Sequence, residues 1–259
     1  MDSAMPQQAQ IDLNADMGES FGAYTIGDDE ALLDIVTSAN LACGFHAGDP
    51  ATMRRAVQRC LAKGVAIGAH PGLPDLAGFG RRTMQITPDD AYELTIYQLG
   101  ALQAFVKAEG GSLRHVKPHG ALYNMAAARP ELAEAIARAV ARVSPELTLV
   151  GLAGSALPRA AEAVGLRAAD EAFADRAYAA DGSLAPRHMP GAVYESAAQA
   201  AAQALSIARD GAVRAMDSGA AVRVRADTIC VHGDSPHAVA TARAVRRALE
   251  EGGCAIAAL

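Results

Sequence analysis

The chain has 259 residues, 51% of them hydrophobic, with 23 Lys plus Arg against 29 Asp plus Glu and a net charge of −6. That length admits one large α/β domain or two small ones, with a sizeable core. The acidic balance, and the lack of a basic stripe with interleaved aromatics, argue against nucleic acid and against anionic membrane as partners.

Met1 to Gln10 is polar, with no cationic start and no apolar run, so a flexible leader over 1–10 is expected rather than a signal peptide. Residues 11–16 read as a strand whose end carries Asn14 and Asp16, followed by Gly18 and Glu19. A short helix is expected from Asp28 or Asp29 to about Val36. The second strand, 38–42, carries Asn40 and runs into Cys43 and His46. Asp49-Pro50 is an N-cap with proline in the first turn. Met53, Ala56, Val57, Cys60 and Leu61 keep helical spacing, and Gly64 stands where a C-terminal glycine belongs.

The third strand, 65–69, ends in His70-Pro-Gly, and a loop follows with Asp75, Arg81 and Arg82. Thr87-Pro88 opens a helix to Ala108. The fourth strand begins at His115. By Lys117 its apolar run has stopped, and Lys117, Pro118 and His119 precede Gly120. Titratable groups at a strand end are expensive in a core and usually sit in a cavity that uses them. A helix from Arg129-Pro130 to about Val143, a strand over 147–152 and a short helix over 155–164 come next.

The sixth strand is read as 166–169, which puts Asp170, Glu171, Asp175 and Arg176 beyond its end. A polar loop with Arg187 leads to an alanine-rich helix over 196–208, then a hairpin of 213–216 and 222–224. The seventh strand, 228–231, ends in His232-Gly-Asp234, and Ser235-Pro236 caps a last helix ending near Gly252. No segment is long and apolar enough to cross a bilayer. Cys43, Cys60, Cys230 and Cys254 form no CxxC pair, which suits reduced thiols and a cytoplasmic location.

Strands alternating with helices imply a parallel sheet with right-handed crossovers. At least six strand ends are loaded with polar residues. An open doubly wound sheet would concentrate its chemistry at one switch point, so the expected fold is a closed seven-stranded β/α barrel, one domain over 11–259, with its site on the C-terminal rim. His46, His70, His119 and His232 stand at strand ends, and with a carboxylate such as Asp16 they would suit a divalent metal; taken singly, each is better read as a hydrogen-bonded structural residue. Asp16 and Asp170 are the candidates for general base, since Asp49 is explained as a cap and Asp75 as a turn holder. Asn14 and Asn40 either hold an amide-like ligand or bond each other. Lys117 either pairs with a carboxylate or acts on substrate. Arg81, Arg82, Arg176 and Arg187 lie on rim loops, placed to clamp a carboxylate or phosphate, and solvated surface arginine is the better reading of Arg82. Cys43, three residues from His46, is better read as an apolar buried thiol than as a nucleophile, since Cys230 holds the corresponding place in the seventh strand with no such partner. There is no P-loop, kinase signature or GxGxxG after a strand.

DLNADMGESFG (12–22), ANLACGFHAGDP (39–50), GAHPGLPDLAGFGRR (68–82), HVKPHGALYN (115–124), EAFADRAY (171–178) and CVHGD (230–234) resemble the LamB/YcsF family, colinearly from about residue 11 to the end. The resemblance implies a distorted TIM-like barrel of the glycoside hydrolase and deacetylase type. It also implies ATP-dependent opening of 5-oxo-L-proline to L-glutamate, with Mg-ATP as co-substrate and two partner subunits, B and C. For that reaction position suggests Asp16 or Asp170 as base, and His46, His70 and His119 moving protons or holding a phosphorylated oxygen. Lys117 would stabilise negative charge, Arg81 or Arg176 would hold the substrate carboxylate, and Asn14, Asn40, Glu171 and His232 would line the substrate. The competing readings are a metal-dependent carbohydrate deacetylase acting alone and a non-catalytic barrel that binds a small acid.

Overall fold

The computed structural model describes residues 10–233 and 237–259. Asp234 and the Ser235-Pro236 cap lie outside the described residues, as does the expected leader up to residue 9. Gln10, placed in that leader by sequence, opens the first strand.

The chain runs β1 (Gln10–Met17), α1 (Asp29–Leu33), β2 (Ser38–Ala42), α2 (Pro50–Lys63), β3 (Ala66–His70), α3 (Pro88–Ala108), β4 (Leu113–Val116), α4 (Gly120–Ala128), α5 (Pro130–Val143), β5 (Thr148–Leu152), α6 (Ala156–Ala163) and β6 (Arg167–Phe173). It continues with α7 (Ala197–Asp210), β7 (Ala212–Arg214), β8 (Ala221–Arg223), β9 (Thr228–Val231), α8 (Ala238–Glu251) and β10 (Ala255–Ile256). β1 to β6 and β9 pair in parallel order, and β1 also pairs with β9, which closes a seven-stranded barrel. β7 and β8 form the expected hairpin, antiparallel and apart from the barrel. β10 adds an unforeseen parallel edge to the start of β1. The closure is uneven: β3 and β4 shift register at Ile67/Gly68, and β4 meets β5 through His115–Thr148 and Val116–Leu149 alone.

Local chemistry accounts for the helix boundaries. Asp49 caps α2 by accepting from the Ala51 and Thr52 amides, Pro50 fills the first turn, and Gly64 ends the helix at φ 68°. Thr87 and Asp90 form a reciprocal capping box at the start of α3. α4 has no such signal. Its N-cap is His119, which makes no side-chain cap bond, so the helix leaves the end of β4 unannounced by sequence.

The helices bury their apolar faces on the outside of the barrel, where Leu13, Leu41, Ile67, Val116, Leu149 and Ile229 are almost inaccessible. The barrel's interior is different, because its strand residues alternate at period two and the inward set is largely polar. Asp12 accepts from Ser38 Oγ at 2.7 Å and from Thr228 Oγ1, joining β1 to both of its neighbours. Gly68 on β3 leaves room for the His115 ring, which a Cβ there would strike. Among the described residues no helix is long and apolar enough to cross a membrane.

Candidate active site

From the lowest layer upward, inward side chains form one hydrogen-bonded column. Asn14 Nδ2 donates to Thr228 Oγ1 at 2.7 Å and to Glu171 Oε1 at 3.1 Å, while Asn40 Nδ2 donates to Asn14 Oδ1 at 2.7 Å and to Asp16 Oδ1 at 2.9 Å. The two asparagines therefore bond each other beneath the site and do not line the cleft. His115 Nε2 lies 2.7 Å from Asn40 Oδ1. Burial, then the charge of Lys117, lowers the His115 imidazole to about 3, so it is neutral.

Lys117 is the hub. Its Nζ lies 2.7 Å from Glu171 Oε1, 2.9 Å from Asp16 Oδ1, 3.1 Å from Cys230 Sγ and 3.2 Å from Asn14 Oδ1. Burial opposes the ammonium, but Asp16 and the other partners outweigh it and hold the lysine protonated well above its ordinary range. For Asp16 burial alone would favour the acid; His70 and Lys117 reverse this and keep the carboxyl well below the usual carboxylate range. Tyr123 donates to Glu171 Oε2 at 2.7 Å, and its hydroxyl is pushed well up by burial and then by Glu171. Cys230, in the place on the seventh strand that corresponds to Cys43, touches the central lysine. Cys43 is the inert thiol expected, pushed up by burial to about 12.

At the rim, four consecutive strands contribute to a second cluster: Glu19 after β1, His46 after β2, His70 at the end of β3 and His119 after β4. The rings of His46 and His119 stack with centroids 3.7 Å apart and 2° between planes. Their ligand atoms, with those of Glu19 and His70, lie within 4.8 Å of one another. Gly80, at φ 63°, passes so close that a Cβ would stand 2.7 Å from His46 Cβ and 2.9 Å from His119 Cδ2.

Above both clusters opens a cleft of about 780 Å³, lined by Asp16, His70, Lys117 and His119 with Arg81, Arg176, Arg187, Tyr123, Phe173 and His232. His232 Nδ1 sits 2.8 Å from Asp175 Oδ1, and its ring stacks on Phe173 at 5.5 Å. Asp175 is lowered despite its burial, because His232 outweighs that penalty. Arg176 donates to the carbonyls of Ala185 at 2.7 Å and Ala192 at 3.3 Å, so it ties down the loop over the cleft. Burial lowers its guanidinium to about 10. The Arg81 guanidinium lies 4.9 Å from the centroid of the Phe79 ring. Arg82 pairs with Asp75 in the loop, as the turn reading of Asp75 anticipates.

Of the expected catalytic residues, Asp16, His46, His70, Lys117 and His119 come together and Asp170 does not. β6 continues to Phe173, four residues past its predicted end, so Asp170 is a mid-strand residue. Its side chain faces out of the barrel, accepts from the Gly154 amide at 3.2 Å, and lines a second hollow with Asp227 and Arg225 that shares no residue with the cleft. Glu171, one position on, takes the inward place. Glu19, Tyr123 and Asp175 were not expected as site residues. For Tyr123 the missing signal was α4, which turns the residue back toward the barrel. Asp175 continues the inward alternation of Glu171 and Phe173.

The profile of the LamB/YcsF family matches residues 11–259. The chain is 59% identical to the A subunit of 5-oxoprolinase from Brevibacillus brevis over 248 residues, covering 96% of this chain and 97% of that one. It is 60% identical to the 5-oxoprolinase A subunit of Bordetella parapertussis, over 96% of this chain and 98% of the relative. The crystal structure of the lactam utilization protein of Thermus thermophilus superposes with a TM-score of 0.91 at 51% identity, covering 96% of this chain and all of that one. The family match spans the whole barrel and every strand end that feeds the cleft, and the chain belongs to the LamB/YcsF family.

Proposed function

We propose that this chain is the A subunit of an ATP-dependent 5-oxoprolinase, the component whose cleft opens the lactam of 5-oxo-L-proline to give L-glutamate. The observation that carries the reading is Asp16 and Lys117 held as an ion pair, Nζ to Oδ1 2.9 Å, at the floor of a cleft rimmed by arginines. The shared name of relatives at 54–60% identity supports it.

A five-membered lactam is a resonance-stabilised amide, so its hydrolysis near neutral pH needs an energy source. Transfer of the γ-phosphoryl group of ATP to the amide oxygen releases ADP and leaves an imidate-like carbon that water can attack. Loss of phosphate and opening of the C–N bond then give glutamate. Asp16, ionised and facing the cleft, removes the proton from the attacking water. Lys117 stabilises negative charge developing above it. His232, oriented by Asp175, protonates the leaving nitrogen. Arg81 and Arg187 suit the substrate carboxylate and the phosphoryl group, while Arg176 holds the loop beside them. We assign Mg-ATP to the complex of this chain with subunits B and C, and the location to the cytoplasm, which four free cysteines support.

The test is glutamate release from 5-oxoproline, with this chain alone and with co-expressed B and C partners. Release that needs both ATP and the partners is expected. Glutamate formed without ATP, or none under any pairing, would overturn the reading.

A further inference from the structure

We propose that Glu19, His46, His70 and His119 form a binding site for one divalent cation of the zinc or cobalt type on the wall of the cleft. The first ground is the tautomers. His70 Nδ1 lies 2.6 Å from the carbonyl oxygen of Lys117, and a carbonyl only accepts, so this nitrogen carries the hydrogen. His119 Nε2 is likewise committed to the Phe79 carbonyl at 2.9 Å. The remaining nitrogens, His70 Nε2 and His119 Nδ1, therefore turn bare lone pairs toward each other at 3.1 Å. Two acceptors at that separation repel unless a cation stands between them, either a proton or a metal ion. Backbone carbonyls that fix the far nitrogen of an imidazole are the usual support of a metal-binding histidine.

Glu19 and His46 decide between the two. Glu19 Oε1 is 3.4 Å from His119 Nδ1 and 3.2 Å from His46 Nε2. Ligands at about 2.0–2.1 Å from a tetrahedral zinc stand about 3.3 Å from one another. Three of the six edges, at 3.1, 3.2 and 3.4 Å, match that figure, and all four ligand atoms lie within 4.8 Å of one another. His46 is wholly buried, and among the described residues its Nδ1 has no hydrogen-bond partner, which leaves Nε2 as the nitrogen aimed at the cluster. Whichever nitrogen of His46 is bare, one electron pair is left either orphaned or facing a carboxylate oxygen. A metal on Nε2 removes the clash with the Glu19 oxygen, leaving Nδ1–H as an unpaired donor, and completes a set of three imidazoles and one carboxylate, a donor mixture that favours zinc and cobalt over magnesium, calcium or manganese. Asp16 Oδ2, 3.3 Å from His70 Nε2, puts the bound ion beside the proposed base.

This inference does not depend on the lactam reading, and its readout is metal content rather than turnover. The full chain, stripped with a chelator and confirmed folded by circular dichroism, is titrated with zinc chloride and separately with cobalt(II), followed by calorimetry and visible absorption. One equivalent per chain is expected, with a tetrahedral-type cobalt spectrum. His119→Ala should weaken binding by more than roughly 100-fold, beyond the loss typical of outer partners. Glu19→Gln, which keeps the side chain's shape, should weaken it as well and serves if the histidine variant does not fold. Absence of stoichiometric binding by the folded chain, or equal binding by wild type and variants, would overturn the site and leave a proton between His70 and His119.

Discussion

Lys117 is fully enclosed and answers two carboxylates, so its replacement and that of Asp16 should have opposite signatures. Lys117→Met takes the ammonium away from both Glu171 and Asp16, leaving negative charge in a buried place. Breaking one side of a buried pair costs roughly 3–5 kcal/mol. A drop of that size in unfolding free energy, read from the denaturant midpoint at constant slope, is the expected outcome. Asp16→Asn is gentler, because an amide oxygen still accepts from Lys117 and Asn40 and Glu171 still balances the ammonium. Its midpoint should change little while turnover of the assembled enzyme falls by about 10²–10⁴, the usual weight of a general base. Near-normal turnover in Asp16→Asn would remove Asp16 from that role.

Among the elements, α2 offers the cleanest test of how the loops after the strands are held. Asp49 caps its own helix and also accepts from the Gly22 amide at 2.8 Å, which fastens the loop after β1 to the start of α2. These bonds hold its carboxyl at about 2. Asp49→Ala should cost about 1 kcal/mol and lower the thermal midpoint by roughly 2–4 °C; Asp49→Asn, which still caps, should recover most of it. Caps are local, which is why sequence discloses them: Asp49, Thr87 and Ser155 announce α2, α3 and α6 in plain residues. β6 is misjudged because Asp170 and Glu171 look like a strand's end, whereas a polar barrel interior lets the strand run on to Phe173. One misplaced boundary made the outward aspartate a candidate base and left the inward glutamate as a residue lining the substrate. α4 escapes because nothing caps it, and Tyr123 is lost with it. The rim histidines were legible as strand-end residues. The meeting of distant side chains was not, since Lys117 and Asp16 are 101 positions apart and only closure of the sheet makes them neighbours.

At the scale of the whole molecule, a barrel filled with hydrogen-bonded polar groups has a different dependence on pH from one filled with leucine. His115 shows the sign. It is neutral in the fold, held at about 3 by burial and by Lys117, whereas an unfolded histidine titrates near 6.5. Below 6.5 the unfolded chain takes up the proton first, so stability is full above that pH and is lost as pH falls toward 3. The limiting slope is one proton, roughly 1.4 kcal/mol per pH unit. Other buried groups titrate in the same range, so the contribution of His115 is isolated by difference. His115→Gln retains a donor toward Asn40 Oδ1, fits beside Gly68, and carries no titrating proton. Its stability at neutral pH should lie below that of the wild type, since the glutamine does not refill the ring's volume. Between pH 6.5 and 4.5, however, its thermal midpoint should fall less steeply, so that the two curves converge on acidification. Parallel curves would mean that His115 is not the group through which acid enters the barrel, and that the burden lies with the other buried groups of the interior.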